Sequence, residues 1–194
     1  MPSVTMSELA ARLRVGDLVF TRIPVLPFRR VAAATRTWTN HVGIVIDTDG
    51  AEPAVAESKI PLSGTTTLSR FVQRSEGCRA AVLRLKEPLT ASQQQAIAAA
   101  ARKRARIFYD TGFNLFSRRQ FCSRFVREVV HEATGAVIGE VESFSTLFAG
   151  NPQADIGFWR LWFFGRIPWA RQTVTPASMM HSTNLTPVFD GVVR

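Results

Sequence analysis

The sequence predicts an α+β fold on two kinds of segment: short apolar or β-branched runs of strand length, and longer stretches with apolar residues at helical spacing. Its size and balance agree with a folded chain. At 194 residues, 46% hydrophobic and 20% charged, it has enough apolar side chains for one domain with a real core, which excludes disordered and low-complexity classes. A single domain over residues 1–194 is expected, with an aromatic extension over about 151–194 packed on it. No window holds the roughly 18 uninterrupted apolar residues of a membrane span. The first 25 residues contain Glu8, Arg12, Arg14 and Asp17 where a signal peptide needs an apolar run, so a cytoplasmic protein is expected.

Each element has a local cause. Thr5 and Glu8 form a capping-box pattern before Leu9, Ala10 and Leu13, the stripe of a short helix ending near Arg14. Gly16-Asp17 turns the chain into a buried strand, Leu18-Val19-Phe20, and Phe28 to Thr35 reads as a short helix. His41 to Asp47 and Pro53 to Ser58 flank Asp49-Gly50, a hairpin signature. A short helix begins near Leu68, and Ala80 to Leu85 is a further strand. Thr90 with Gln93 caps a helix whose Ala96, Ile97, Ala100, Ala101 and Ala105 form a narrow face of mainly small residues. Ser117 with Gln120 repeats the capping pattern before Phe121, Cys122, Phe125, Val126, Val129, Val130 and Ala133, and Gly135 stops that helix. In the tail, Pro152, Pro168, Pro176 and Pro187 divide the chain into short pieces around its most aromatic stretch, Gly157 to Gly165.

The formal charge is +9, and all but three of the 24 basic side chains are arginine. Nucleic acid is not the expected partner, because the basic residues run along the whole chain. The densest run, Arg102-Lys103-Arg104 with Arg106, adjoins apolar helical positions and reads as a solvated face. Peripheral contact with an anionic membrane surface suits the charge better. The two cysteines, Cys78 and Cys122, occupy unlike contexts and have no metal-type spacing, so neither a structural disulfide nor a metal site is expected.

Cysteine chemistry needs a thiolate, favoured by a helix N-terminus and a nearby imidazole. If Ser117 is the N-cap, Cys122 lies early enough to feel the dipole; as a small hydrophobe on a core helix it would be inert. Three histidines are available as base. His131 follows Cys122 on the same helix, and nine steps of about 100° place the two on opposite faces. His181 lies in a polar tail. His41 opens a strand, from which its ring can reach a neighbouring helix or simply bind backbone. Glu57 becomes its partner if the hairpin loop is the five residues 47–51, which sets 41 opposite 57; a four-residue loop turns Glu57 to the other face.

Gly16-Asp17-Leu18-Val19-Phe20, Asn40-His41-Val42-Gly43-Ile44-Val45, Val55-Ala56-Glu57-Ser58 and Phe121-Cys122-Ser123-Arg124-Phe125-Val126 resemble, in that order, the YiiX/YebB-like permuted papain-fold enzymes. The segments Gly157 to Trp162, Arg166 to Trp169 and Thr175 to Ser178 are similar to the YebB branch, so the resemblance covers nearly the whole chain. In ordinary NlpC-type hydrolases the cysteine precedes the histidine; the permuted group reverses them, as here. The resemblance implies a circularly permuted papain-like (NlpC-type) fold, with a small antiparallel barrel-like sheet packed with helices. It also implies Cys122 as nucleophile, His41 as general base and Glu57 as the group orienting His41. Retinol-acyltransferase-like relatives place a second histidine where Glu57 stands. The best-described members of the wider group are exported or envelope-associated, whereas no signal is seen here, so their substrates do not carry over.

The expected activity is cleavage of an amide or ester through a Cys122 thioester, of amidase or peptidase type, without a cofactor. The substrate class stays open among small-molecule, peptide and lipid amides. Tyr109, the only tyrosine, is either an oxyanion or site-mouth donor or a packed loop residue, and Gln120 either an amide donor there or the capping-box partner. Cys78 has no ordered base. Two other readings remain: an acyltransferase of the same fold, and a non-catalytic module binding lipid or envelope material. The last would use Trp159, Trp162, Trp169, Arg160 and Arg166, side chains that fit a wrapped core equally well.

Overall fold

The computed structural model describes residues 1–194. Strand β1 (Ser3–Val4) leads into helix α1 (Met6–Ala10), opened by the capping box of Thr5 and Glu8, and β2 (Leu18–Thr21) is buried at every position. Then follow α2 (Leu26–Ala34), β3 (His41–Asp47), β4 (Ala54–Glu57), β5 (Gly64–Thr67) and α3 (Leu68–Gln73). The chain continues through β6 (Arg79–Leu85), α4 (Ala91–Lys103) and α5 (Cys122–Thr134). Last come β7 (Val141–Ser143), α6 (Phe144–Ala149), α7 (Ile156–Trp162), β8 (Gln172–Val174), α8 (Pro176–Met180) and β9 (Leu185–Val193).

Seven strands form one sheet in the order β1-β9-β6-β2-β3-β4-β5, antiparallel except for β1 with β9, and β7 pairs with β8 separately. The barrel-like sheet expected from the resemblance is therefore an open one. Its edges, β1 and β5, are very short, which limits the unpaired backbone they expose. Both faces are covered. Phe20, Val42, Ile44 and Leu83 pack with Ile97 of α4 and Phe125, Val126 and Val129 of α5 in one cluster; Val19, Val45, Val55 and Val82 pack with Leu9, Leu68 and Phe71 in another. Double coverage explains why six of the seven β3 residues are buried and why that strand reads as a continuous apolar run.

Two boundaries differ from the sequence reading in ways that matter. Between β3 and β4 the pairing is Ile44 with Ala56 and Val45 with Val55, followed by a shift to Asp47 with Ala54. Continued by one step, this register sets Glu57 opposite Gly43, two positions from His41, instead of directly opposite it. The second difference is the start of α5. Phe121 is its N-cap, with no side-chain cap, so the box expected from Ser117 and Gln120 does not form and Cys122 becomes the first helical residue. The other end behaves as expected, with Gly135 at φ 74° closing the helix. Helix α4 ends at Lys103, leaving Ala105 exposed beyond its small-residue face.

The tail is partly sheet. β9 pairs along β6, and the register shifts between Val82, opposite Phe189, and Leu83, opposite Pro187. A bulge is where a strand tolerates a residue without an N–H, so Pro187 marks an irregularity within a strand and not its end. Before β9, Phe144, Trp159 and Ile167 form a small third core.

Gly43 is fixed by packing. A Cβ there would lie 2.6 Å from Val55 Cγ1 and 2.8 Å from Phe71 Cε2, both on fully buried side chains. Replacing Gly43 by Ala should lower unfolding stability by about 1–3 kcal/mol in urea titration, the usual cost of overpacking. Gly64→Ala, with nothing within 4 Å, should leave the midpoint unchanged.

Candidate active site

Cys122 gains its position from a helix start that no side chain caps. As the first residue of α5 it has a backbone N–H with no partner inside the helix, directed to the Tyr109 hydroxyl, and the positive end of the helix dipole beside its sulfur. The thiol is 3% exposed. The Tyr109 hydroxyl donates to Sγ over 3.9 Å, and Sγ lies 4.0 Å from the Asn40 carbonyl oxygen. Both neighbours are held by backbone pairing. Tyr109 forms an isolated bridge with Gln120, and its N–H donates to the Pro61 carbonyl at 3.0 Å. The Asn40 side chain accepts from the Ile23 N–H at 2.8 Å and donates to the Ile23 carbonyl at 3.1 Å, fixing the peptide that precedes His41.

His41 begins β3, 3% exposed, and its Nε2 lies 2.6 Å from Glu57 Oε2. The register makes them diagonal neighbours on one face, and the missing side chain at Gly43 leaves room between them. That space also admits Phe71, whose ring stacks on the imidazole at 5.4 Å between centroids. Glu57 is fully buried, and its second oxygen receives Arg74 Nη2 at 2.6 Å, with Lys59 Nζ at 3.4 Å. Arg74 in turn lies over the Phe71 ring, 5.3 Å from its centroid.

These contacts set the charges. Burial alone would lower the imidazole pKa, but its hydrogen bonds to Cys122 and Glu57 and their negative charges raise it to about 9. Burial likewise opposes the Glu57 carboxylate, and His41 and Arg74 overcome this, holding it at about 2. For Cys122 burial favours the thiol, while His41, the Val42 N–H and the Tyr109 hydroxyl favour the thiolate and lower its pKa. The two shifts run in the same sense, towards a proton on His41 and a negative charge on Cys122. Tyr109 is pushed well above the usual phenol range by burial and by the neighbouring thiolate, so it stays a hydrogen-bond donor.

Four of the five predicted site residues thus meet: Cys122, His41, Glu57 and Tyr109. Gln120 does not join them, because its amide donates to the Arg104 carbonyl at 2.7 Å and only its backbone supports Tyr109. His131 and His181 are exposed, and Cys78 is half-buried in a 3-10 turn. Arg74, Phe71 and Asn40 had no signal as site residues, since each acts through a partner distant in sequence. No group of three or more His, Cys, Asp or Glu side chains is arranged to hold a metal ion.

A cysteine at a helix start, facing a histidine on a strand of an antiparallel sheet, defines the papain-like class, and the histidine-first order makes it the permuted form. The chain belongs to the permuted papain-like amidase family YaeF/YiiX (C92), whose model matches residues 12–189. It is 25% identical over 185 residues to the uncharacterized protein YiiX of Escherichia coli strain K12, covering 95% of this chain and 90% of that one. The crystal structure of YiiX from Escherichia coli O157:H7, described as a metalloprotein, superposes with a TM-score of 0.85 at 24% identity, covering 93% of this chain and 99% of that one.

A lowered cysteine pKa means the thiolate is present above that pKa and lost as pH falls through it. Alkylation of Cys122 by iodoacetamide should therefore persist below the ordinary thiol value of about 8.5, and His41→Ala, which leaves burial opposed only by the weaker contacts, should move the onset to higher pH. The raised His41 pKa works in the other direction: the imidazolium is lost as pH rises through about 9, which places the alkaline limb of any turnover there. Rate measurements from pH 4 to 10, with adducts mapped by mass spectrometry, check both limbs.

Proposed function

We propose that this protein is a cysteine hydrolase of amidase or peptidase type that cleaves an amide or ester through a thioester on Cys122. The observation that carries this reading is the convergence of buried Cys122, His41 and Glu57, with the half-buried Arg74 on the far carboxylate oxygen. The Cys122 thiolate attacks the carbonyl carbon, and the oxyanion is received by the Cys122 N–H and the Tyr109 hydroxyl. His41 gives its proton to the departing amine or alkoxide as the carbon–heteroatom bond breaks, leaving a thioester. It then removes a proton from water, which attacks that thioester, and the acid departs as the thiolate reforms with the proton on His41. Glu57 acts on the ring alone, holding its orientation and stabilising the cation. Where an acceptor replaces water in the second half, the same steps make an acyltransferase.

The tail segments similar to the YebB branch support placing the chain there within the family. A peripheral membrane role is supported by Leu161 at 80% and Phe164 at 98% exposure beside the exposed Arg160 and Arg166, a pairing of apolar and cationic side chains suited to headgroup depth. Trp159 belongs to the core and not to that patch.

Cys122→Ala should abolish acyl-enzyme formation from p-nitrophenyl acetate while leaving the circular dichroism spectrum unchanged; turnover kept by that variant would rule the mechanism out. Tyr109→Phe should lower kcat by roughly 10²-fold with little change in KM, the usual loss for one oxyanion donor.

A further inference from the structure

The Glu57 carboxylate is gripped from two sides, and only one of them takes part in proton transfer. Arg74, the C-cap of α3, directs Nη2 to Oε1 at 2.6 Å, while His41 Nε2 lies at the same distance from Oε2. Two further contacts fix the guanidinium. Its Nε donates to the Arg70 carbonyl at 3.1 Å, and the group lies over Phe71, the same ring that stacks on the imidazole. The other titratable groups around the pair are Lys59, 3.4 Å from Oε1, Cys122 at the start of α5, and Tyr109 beside its sulfur. Arg74 does not line the cleft that opens onto Cys122 between α2, α6, α7 and β8.

This second grip has its use after acylation. The sulfur is then a neutral thioester and His41 has given up its proton, so Glu57, fully buried, no longer faces a cation on the imidazole side. Deacylation needs that state to last. Water loses a proton to Nδ1 as its oxygen bonds to the carbonyl carbon, and the C–S bond then breaks. Nδ1 can accept only while it is bare, with the ring's proton on Nε2 and donated to an ionised Glu57. A second proton entering the pair ends this wherever it settles: on Nδ1 it makes the imidazolium, and on Glu57 it drives the ring's own proton to Nδ1. Burial favours that uptake, and a guanidinium, charged at every working pH, opposes it. We infer that Arg74 is a positioning residue for deacylation: by holding Glu57 ionised opposite a neutral His41, it keeps Nδ1 free to take the proton of the attacking water. This rests on the hydrolase reading above and assigns the second cation to one half of that reaction.

The test uses the full chain with nitrogen-15 histidine and Cys122 carbamidomethylated by iodoacetamide, which removes the thiolate as acylation does. Ring signals of His41, assigned by their loss in His41→Ala, then report tautomer and titration midpoint without turnover. The neutral ring should carry its proton on Nε2. Arg74→Gln, which keeps an amide donor without the charge, should raise the midpoint by roughly one pH unit, and Arg74→Lys should bring it back. With p-nitrophenyl acetate, whose leaving group departs as the anion, Arg74→Gln should keep the acylation burst, since the cleft wall is untouched. Its deacylation should fall about tenfold on the acid side, the limb having moved up by that same unit. A neutral ring protonated on Nδ1, a midpoint unmoved by Arg74→Gln, or equal movement in Arg74→Gln and Arg74→Lys would overturn the inference. So would an undiminished shift in a Glu57→Gln background, where Arg74 has no carboxylate to act on. The tautomer is read on the wild-type chain and so tests the inference even where Arg74→Gln does not fold. Absence of a burst from the wild-type protein would instead remove the hydrolase reading, whatever the midpoints.

Discussion

The site depends on a carboxylate held entirely out of water. Glu57 lies between His41 and Arg74, each at 2.6 Å, with Lys59 further off. A buried charge of this kind contributes little net stability even when well paired, and loss of one partner leaves an uncompensated ion costing about 3–5 kcal/mol. Burial is therefore better explained by what it does to the ring. A carboxylate that stays ionised to about pH 2 keeps one imidazole nitrogen occupied and fixes the ring plane, leaving the other nitrogen to exchange a proton with sulfur. Arg74 belongs to this logic as a positioning residue: it holds the charge on Glu57, which holds His41, and it touches neither the thiol nor the cleft.

The shared face of His41 and Glu57 was legible in the sequence even though their register was not. The loop expected at 47–51 differs from the observed pairing by two residues, and an even slip preserves which side of the sheet each residue faces. An odd slip would have separated them. What sequence spacing could not supply was the diagonal distance, which depends on Gly43 having no side chain and on Phe71 filling the space beside it. The capping pattern at Ser117 and Gln120 misled for a physical reason. A local box competes with tertiary partners, and here the Gln120 amide reaches Arg104 while its backbone pairs with the 108–110 segment. The helix consequently starts five residues past Ser117, which strengthens the dipole on Cys122.

Other features were invisible because they are set by distant contacts. Arg74 belongs to no sequence pattern that would mark it, yet it pairs with Glu57 on a strand. β9 was hidden by Pro187, since a proline in a strand pattern argues against pairing unless a bulge absorbs it. The aromatic tail read ambiguously for a similar reason. Its composition fits both a core and an interface, and the structure divides it, burying Trp159 while leaving Phe164 and Leu161 outside.

The open sheet and the two environments of the sulfur belong together. β3 is covered on both faces, so the α5 start and the α3 ring of Phe71 approach its first residue from different layers and meet at His41. On one side of Sγ this produces a line of titratable groups, His41, Glu57 and Arg74. The other side is walled by α2, α6 and α7 without a formal charge among them. The two surroundings treat charge oppositely, since an ion on the walled side would lose its hydration without gaining a charged partner. That contrast follows from how the helix layers divide around one strand end, with α5 packed on one face of β3 and α3 on the other.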